Sequence, residues 1–332
     1  GLGIAALRQR ADDVIRTPDD LYRRTRVPVA TVLSTRLHAG QVGLVPPLSA
    51  DGRGYARLRN LVTTSLEDSP RRVVLVAGVR RGGGPIAANL AASLARAGEE
   101  VFLVCGDVFG NTASELLDEE PGDGLAEVLA GERGVDDVMR RLPGVPGLRV
   151  LGPGRDPDRA DALLQTRSPR RLIDRLLGSG AYVVIEAPPT RDSPDAQTLA
   201  NVSELAVLVV EAADTSAREV LDACAQLESV HTAVLGAVIA RYGKDSNREK
   251  RYVEPPAERD VEGASADSDT AAGDAGPRTV EVSAVGSTAI GARPAVGNPG
   301  EQHGDHRPHD EVAPTVTRPA LVPPGTRGPA PR

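Results

Sequence analysis

At 332 residues the chain is long enough for one large or two ordinary domains, taking roughly 100–200 residues per domain. A formal net charge of -7 excludes a general nucleic-acid binder, because neutralising phosphates requires a basic surface. Cys105 and Cys224 are far apart and each lies in an apolar run, so they read as buried free thiols and not as a disulfide, and no metal-ligand spacing of Cys and His is present.

The chain opens on GLGIAAL and passes abruptly into RQR. A spanning helix needs about 20 apolar residues, so residues 1–10 read as the end of a transmembrane helix truncated ahead of Gly1, the alternative being a frayed apolar start. Arg8, Arg10, Arg16, Arg23, Arg24 and Arg26 then place the following residues at the cytoplasmic face, by the positive-inside bias. Residues 11–70 read as a juxtamembrane and linker region with short helices. Thr17 is a plausible N-cap with Pro18 at the first helical position, residues 40–54 form a loop, and residues 55–66 are amphipathic.

From residue 71 the pattern becomes regular. Residues 73–77 form a β-branched strand, 86–97 a helix and 101–104 a second strand, which is the length of a parallel crossover. Further strands are expected at 149–151, 182–185, 206–210 and 234–240, with helices at 125–129, 169–177, 195–202 and 216–229. Continuous apolar strands alternating with amphipathic helices predict a doubly wound, parallel α/β sheet over residues 71–244. Residues 245–332 are dominated by Pro, Gly, Ala and charged types, so a disordered tail is expected there. Its HGDHRPH stretch reads as a weak metal site or, more simply, as drift in composition.

The loop after the first of these strands is AGVRRGGGPIAANLA. Gly82, Gly83 and Gly84 can form a nest of backbone amides for an anion, and Pro85 suits the first turn of the next helix. A working phosphate loop also needs a lysine for the β- and γ-phosphates and a Ser or Thr hydroxyl for magnesium. No lysine precedes Lys244, and residues 79–92 contain no Ser or Thr. Arg80 and Arg81 are the nearby cations; they either fork onto phosphate in place of the lysine or are solvated loop residues.

Metal-assisted phosphoryl transfer further requires carboxylates at the ends of neighbouring parallel strands. Asp107, after VFLVCG, and Glu186, after YVVI, hold such positions and suit a hydrated magnesium ion. Asp192, Asp195 and Asp214 read as loop or helix-capping residues.

Several of these segments together carry a resemblance. Arg16-Thr17-Pro18-Asp19-Asp20-Leu21, Val27-Pro28-Val29, Tyr55-Ala56-Arg57-Leu58-Arg59, Ala87-Ala88-Asn89-Leu90-Ala91, Gly124-Leu125 with Val128, Leu129 and Gly131, and Tyr182 to Pro189 occur in this order. The chain thereby resembles the cytoplasmic part of Wzz-type polysaccharide co-polymerases fused to a bacterial tyrosine kinase (BY-kinase) domain and, more distantly, the MinD/ParA ATPases. The resemblance implies a P-loop NTPase-type fold, ATP or ADP with magnesium as cofactor, a homo-oligomer, and partners in the membrane machinery of polysaccharide polymerisation and export.

The departures from that pattern are specific. The loop is about two residues shorter than the family's and lacks its G-K-[ST] core, and the first carboxylate of a D-A-D motif is replaced by Cys105. Glu186 stands for an aspartate. The oligomerisation motif survives only as Arg53, Ala56 and Arg59, and the terminal tyrosine cluster is reduced to Tyr242 and Tyr252. The expectation is a catalytically degenerate domain in exopolysaccharide, capsule or lipopolysaccharide biosynthesis and chain-length regulation, with nucleotide binding weak or lost. The alternative is a divergent ATPase or tyrosine kinase that uses Arg80 or Arg81 as its phosphate cation.

Overall fold

The computed structural model of the protein describes residues 13–38 and 42–243. The expected membrane-helix remnant, the tail and its histidine-rich stretch lie outside the described residues. In chain order the elements are α1 (Pro18–Thr25), β1 (Val29–Leu37), α2 (Ala50–Ser65), β2 (Val73–Gly78), α3 (Gly84–Arg96), β3 (Val101–Cys105), α4 (Thr112–Leu117), α5 (Leu125–Leu129), α6 (Val135–Val138), β4 (Arg140–Arg141), β5 (Leu148–Leu151), α7 (Pro157–Leu164), α8 (Ser168–Leu177), β6 (Tyr182–Ala187), α9 (Asp195–Ala200), β7 (Leu205–Glu211), α10 (Ala217–Ser229) and β8 (Ala233–Tyr242).

The strands form one sheet in the order β1-β8-β7-β2-β6-β3-β5-β4. Every pairing is parallel except that of β4 with β5. Because successive side chains of a strand point to opposite faces, β2 feeds both cores. Val73, Leu75 and Ala77 pack with α5, α8, α9 and α10 on one face, and Val74 and Val76 pack with α2 and α3 on the other. Burial on both faces is what makes VVLVAG and LAVLVVE continuous apolar runs. As the spacing predicts, Thr17 caps α1, accepting from the Asp20 amide at 3.1 Å. Both cysteines are buried free thiols.

The part of the chain read as a linker is drawn into the fold. The strand β1 was not foreseen, because Pro28 and the polar residues of VATVLSTRL disguise it, yet it pairs with β8 along the sheet edge. The expected loop over 40–54 is corrected too: α2 begins at Ala50, with the Ser49 hydroxyl accepting from the Gly52 amide at 3.0 Å. Gly52 and Gly54 lower helix propensity and so read as loop, but close packing requires them. A Cβ at Gly52 would lie 2.2 Å from the Pro46 carbonyl oxygen, and one at Gly54 would lie 2.8 Å from Thr31 Oγ1.

Asp51 joins β1 to α2. Its carboxylate accepts from the Ser34 amide (2.7 Å), the Ser34 hydroxyl (2.6 Å) and the Thr35 amide (2.9 Å). Burial pushes the Asp51 pKa up, but the bonds from Ser34 and Thr35 outweigh it and leave the group below its ordinary 3.8. A carboxyl whose folded value is depressed stabilises the fold above the unfolded pKa, and that contribution disappears as pH falls through the folded value. Asp51→Ala is therefore expected to lower unfolding free energy by about 2–4 kcal/mol at neutral pH. In urea titrations the gap between variant and wild type should narrow once the pH drops below about 4.

Candidate functional site

The strand β2 leaves the sheet at Gly78, where the Val79 amide donates to the Val209 carbonyl at 3.0 Å. The helix α3 starts at Gly84 with Gly83 as its N-cap, no side-chain cap, and Pro85 in the first turn. The turn between them is tight. A Cβ on Gly78 would sit 1.7 Å from the Arg81 carbonyl oxygen, and one on Gly83 would sit 2.9 Å from the Val76 carbonyl oxygen. These glycines are dictated by close backbone approach.

Glu211, at the end of β7, is fully buried and turns its side chain into this loop. Its Oε1 accepts from the amides of Arg80 (3.3 Å) and Arg81 (2.8 Å), and its Oε2 accepts from the Thr215 hydroxyl at 2.6 Å. Parallel register sets the approach, since Gly78 is paired with Val209 of β7. Burial pushes the Glu211 pKa up, while the hydrogen bonds from Thr215 and the loop amides pull it back.

The two arginine side chains are also engaged by the protein. Arg80 pairs with Glu219 at 2.8 Å, and Glu219 in turn caps α10 reciprocally with Ser216. Arg81 lies 3.8 Å from Asp214 and stacks over the Tyr242 ring at 5.1 Å. Asp214 thus serves as an ion-pair partner instead of a helix cap. Asp195 is not a cap either: Pro194 holds that position, and Asp195 accepts from Ser193 and Gln165 in the first turn of α9. Asp192 lies in the loop beside Arg191.

On the other side of the loop the structure brings Glu186 and Asp107 together. Glu186 is in register with Val76 of β2 and Cys105 of β3. A Cβ on Gly82 would meet Asp107 Oδ2 at 2.7 Å, and one on Gly84 would meet Glu186 Oε1 at 2.6 Å. Thr112 of α4 donates to Glu186 Oε1 at 2.6 Å. Burial first, and the charge of Asp107 second, push the Glu186 pKa up to about 8. Burial and the same two acids raise the Cys105 thiol well above its usual range. Among the described residues no group of three or more His, Cys, Asp or Glu is arranged to hold a metal ion.

A cavity of about 120 Å³ lies over Gly82, Gly84, Asp107, Thr112 and Glu186, with Arg81 and Tyr242 at its edge. Thr112 and Glu211 were missed in the sequence. Glu211 satisfies the same strand-end criterion that selects Glu186, but it closes an apolar run one residue past the expected strand. Thr112 belongs to a helix too short to show periodicity.

Glu186 provides a pH test. Its folded pKa of about 8 lies above the 4.5 of an ordinary glutamate, so the fold retains a proton that the unfolded chain has released. The stability this provides is full below about pH 4.5 and declines as the pH rises towards about 8. Glu186→Gln is expected to remove that decline and to raise the denaturation midpoint relative to wild type near pH 8. A pH profile unchanged by the substitution would show that Glu186 is ionised in the fold.

No family model matches the chain. It is 28% identical over 294 residues to EpsB of Ralstonia nicotianae, covering 80% of this chain and 39% of EpsB. It is 24% identical over 220 residues to the tyrosine-protein kinase YwqD of Bacillus subtilis, covering 66% of this chain and 92% of YwqD. The solved kinase domain of the Escherichia coli tyrosine kinase Etk superposes with a TM-score of 0.58 at 20% identity, over 68% of this chain and 95% of that domain. The chain therefore spans less than half the length of EpsB but matches nearly all of YwqD. It carries a P-loop-type α/β domain that is similar in sequence to bacterial tyrosine kinases and has the fold of their kinase domains.

Proposed function

We propose that this chain is a catalytically degenerate, kinase-like domain at the cytoplasmic face of a membrane protein, acting in exopolysaccharide, capsule or lipopolysaccharide assembly and chain-length regulation. The observation that carries this reading is the engagement of the phosphate loop by the protein itself. The amides of Arg80 and Arg81 are directed at Glu211, and their guanidinium groups meet Glu219 and Asp214.

These residues do not fit a magnesium nucleotide. No lysine or hydroxyl is available in the loop, and Thr112 already donates to Glu186 Oε1 at 2.6 Å. The 120 Å³ cavity is well below the roughly 300–1,000 Å³ of ordinary small-molecule sites. Phosphoryl transfer depends almost wholly on positioning and electrostatic stabilisation, so losing these groups together removes most of its driving terms. What the domain retains is a rigid α/β body able to contact the polymerase and export machinery and, as the kinase likeness suggests, further copies of itself. Among the described residues no helix is long and apolar enough to cross a membrane, and the proposed anchor belongs to sequence outside them.

Calorimetric titration of the protein with ATP and with ADP, each with magnesium, is expected to give no binding heat, and incubation with ATP no phosphate release. Heat without turnover would favour nucleotide binding as an assembly switch. Magnesium-dependent hydrolysis abolished by Glu186→Gln would replace this proposal with a divergent ATPase or tyrosine kinase using Arg80 or Arg81.

A further inference from the structure

A groove of about 810 Å³ runs between the start of α8 and the loop and helix of α9. Its volume falls within the roughly 300–1,000 Å³ range of functional pockets, and it shares no residue with the cavity at the glycine loop. Three guanidinium groups line it, from Arg167, Arg170 and Arg171, and all three residues are exposed.

Their charge is not balanced locally. Arg170 bonds to the neutral oxygens of Asn201, at 3.2 Å to the carbonyl and 2.9 Å to Oδ1. Arg167 and Arg171 have no ion pair among the described residues. The acid that lines the same groove, Asp174, is held at 2.9 Å by Arg71. A chain with a formal net charge of -7 thus concentrates uncompensated positive charge along one concavity. The acid at helical spacing from Arg170 and Arg171 on α8, Asp174, pairs with Arg71 and not with either of them.

We propose that this groove is a docking site for an extended acidic peptide segment of a partner protein. The planar guanidinium fork pairs with carboxylate or phosphate through two hydrogen bonds, and clustered arginines are a recurrent solution for acidic and phosphorylated peptide motifs. Gln197 and Asn201 on the opposite wall offer amide donors and acceptors suited to a peptide backbone. A concave groove suits an extended chain better than the flat face of a membrane. The inference is independent of whether the glycine loop binds nucleotide.

The test uses the full chain and fluorescence anisotropy with a labelled octaglutamate peptide, alongside a peptide of the same length carrying phosphoserines. Binding of either is expected to be saturable, to weaken with added salt, and to fall at least about tenfold in Arg167→Glu/Arg171→Glu. That variant alters exposed side chains without folded partners, so it should fold as the wild type does. Arg218→Glu on α10, an exposed arginine remote from the groove, should leave binding unchanged. Whichever peptide binds more tightly identifies the acidic group. Equal weakening by Arg218→Glu, no effect of the double variant, or arginine-dependent binding to anionic phospholipid vesicles with no binding to either peptide would overturn the proposal.

Discussion

The loop between β2 and α3 takes its shape from one buried acid. A turn that aims consecutive backbone amides at one point needs an acceptor there, because a buried donor left without one costs roughly 1–3 kcal/mol. In a nucleotide-binding loop that acceptor is phosphate. Here Glu211 fills the role from within, accepting from the amides of Arg80 and Arg81 while Thr215 holds its other oxygen.

The surrounding features follow from that choice. With the loop folded onto β7, Arg81's carbonyl closes over Gly78, and the side chains of Arg80 and Arg81 are carried towards the acids Glu219 and Asp214. On the opposite wall Thr112 donates to Glu186, holding that carboxyl beside the first turn of α3. The amides of Arg80 and Arg81 thus have an acceptor supplied by the protein itself.

Much of this architecture is legible in the sequence, because strands buried on both faces must be continuous apolar runs and the crossover helices must be amphipathic. Val73, Val101 and Tyr182 open strands that could be read directly. The edge strand β1 could not, since one side is paired and the other is partly exposed, leaving Ser34 and Thr35 among its residues. The first turn of α2 is hidden in the sequence because Gly52 and Gly54 signal a turn locally, while their reason, contact with Pro46 and Thr31, is tertiary. In the site, the glycines, Asp107 and Glu186 are legible because their chemistry is tied to the loop after the first strand and to strand ends. The partners that determine what those residues do, Glu211, Glu219 and Thr112, come from 74 to 139 residues away and are set by sheet register, which a linear reading does not contain.

Glu211, and not an exogenous phosphate, is the acceptor for the loop amides of Arg80 and Arg81. That role is tested most directly by following the backbone amide resonances of Arg80 and Arg81 in an isotope-labelled sample during titration with magnesium ATP. Both amides are expected to keep their shifts at millimolar nucleotide and to move when Glu211 is changed to Gln. Saturable shifts of these two amides with ATP in the wild-type protein, leaving Glu211 displaced, would contradict it.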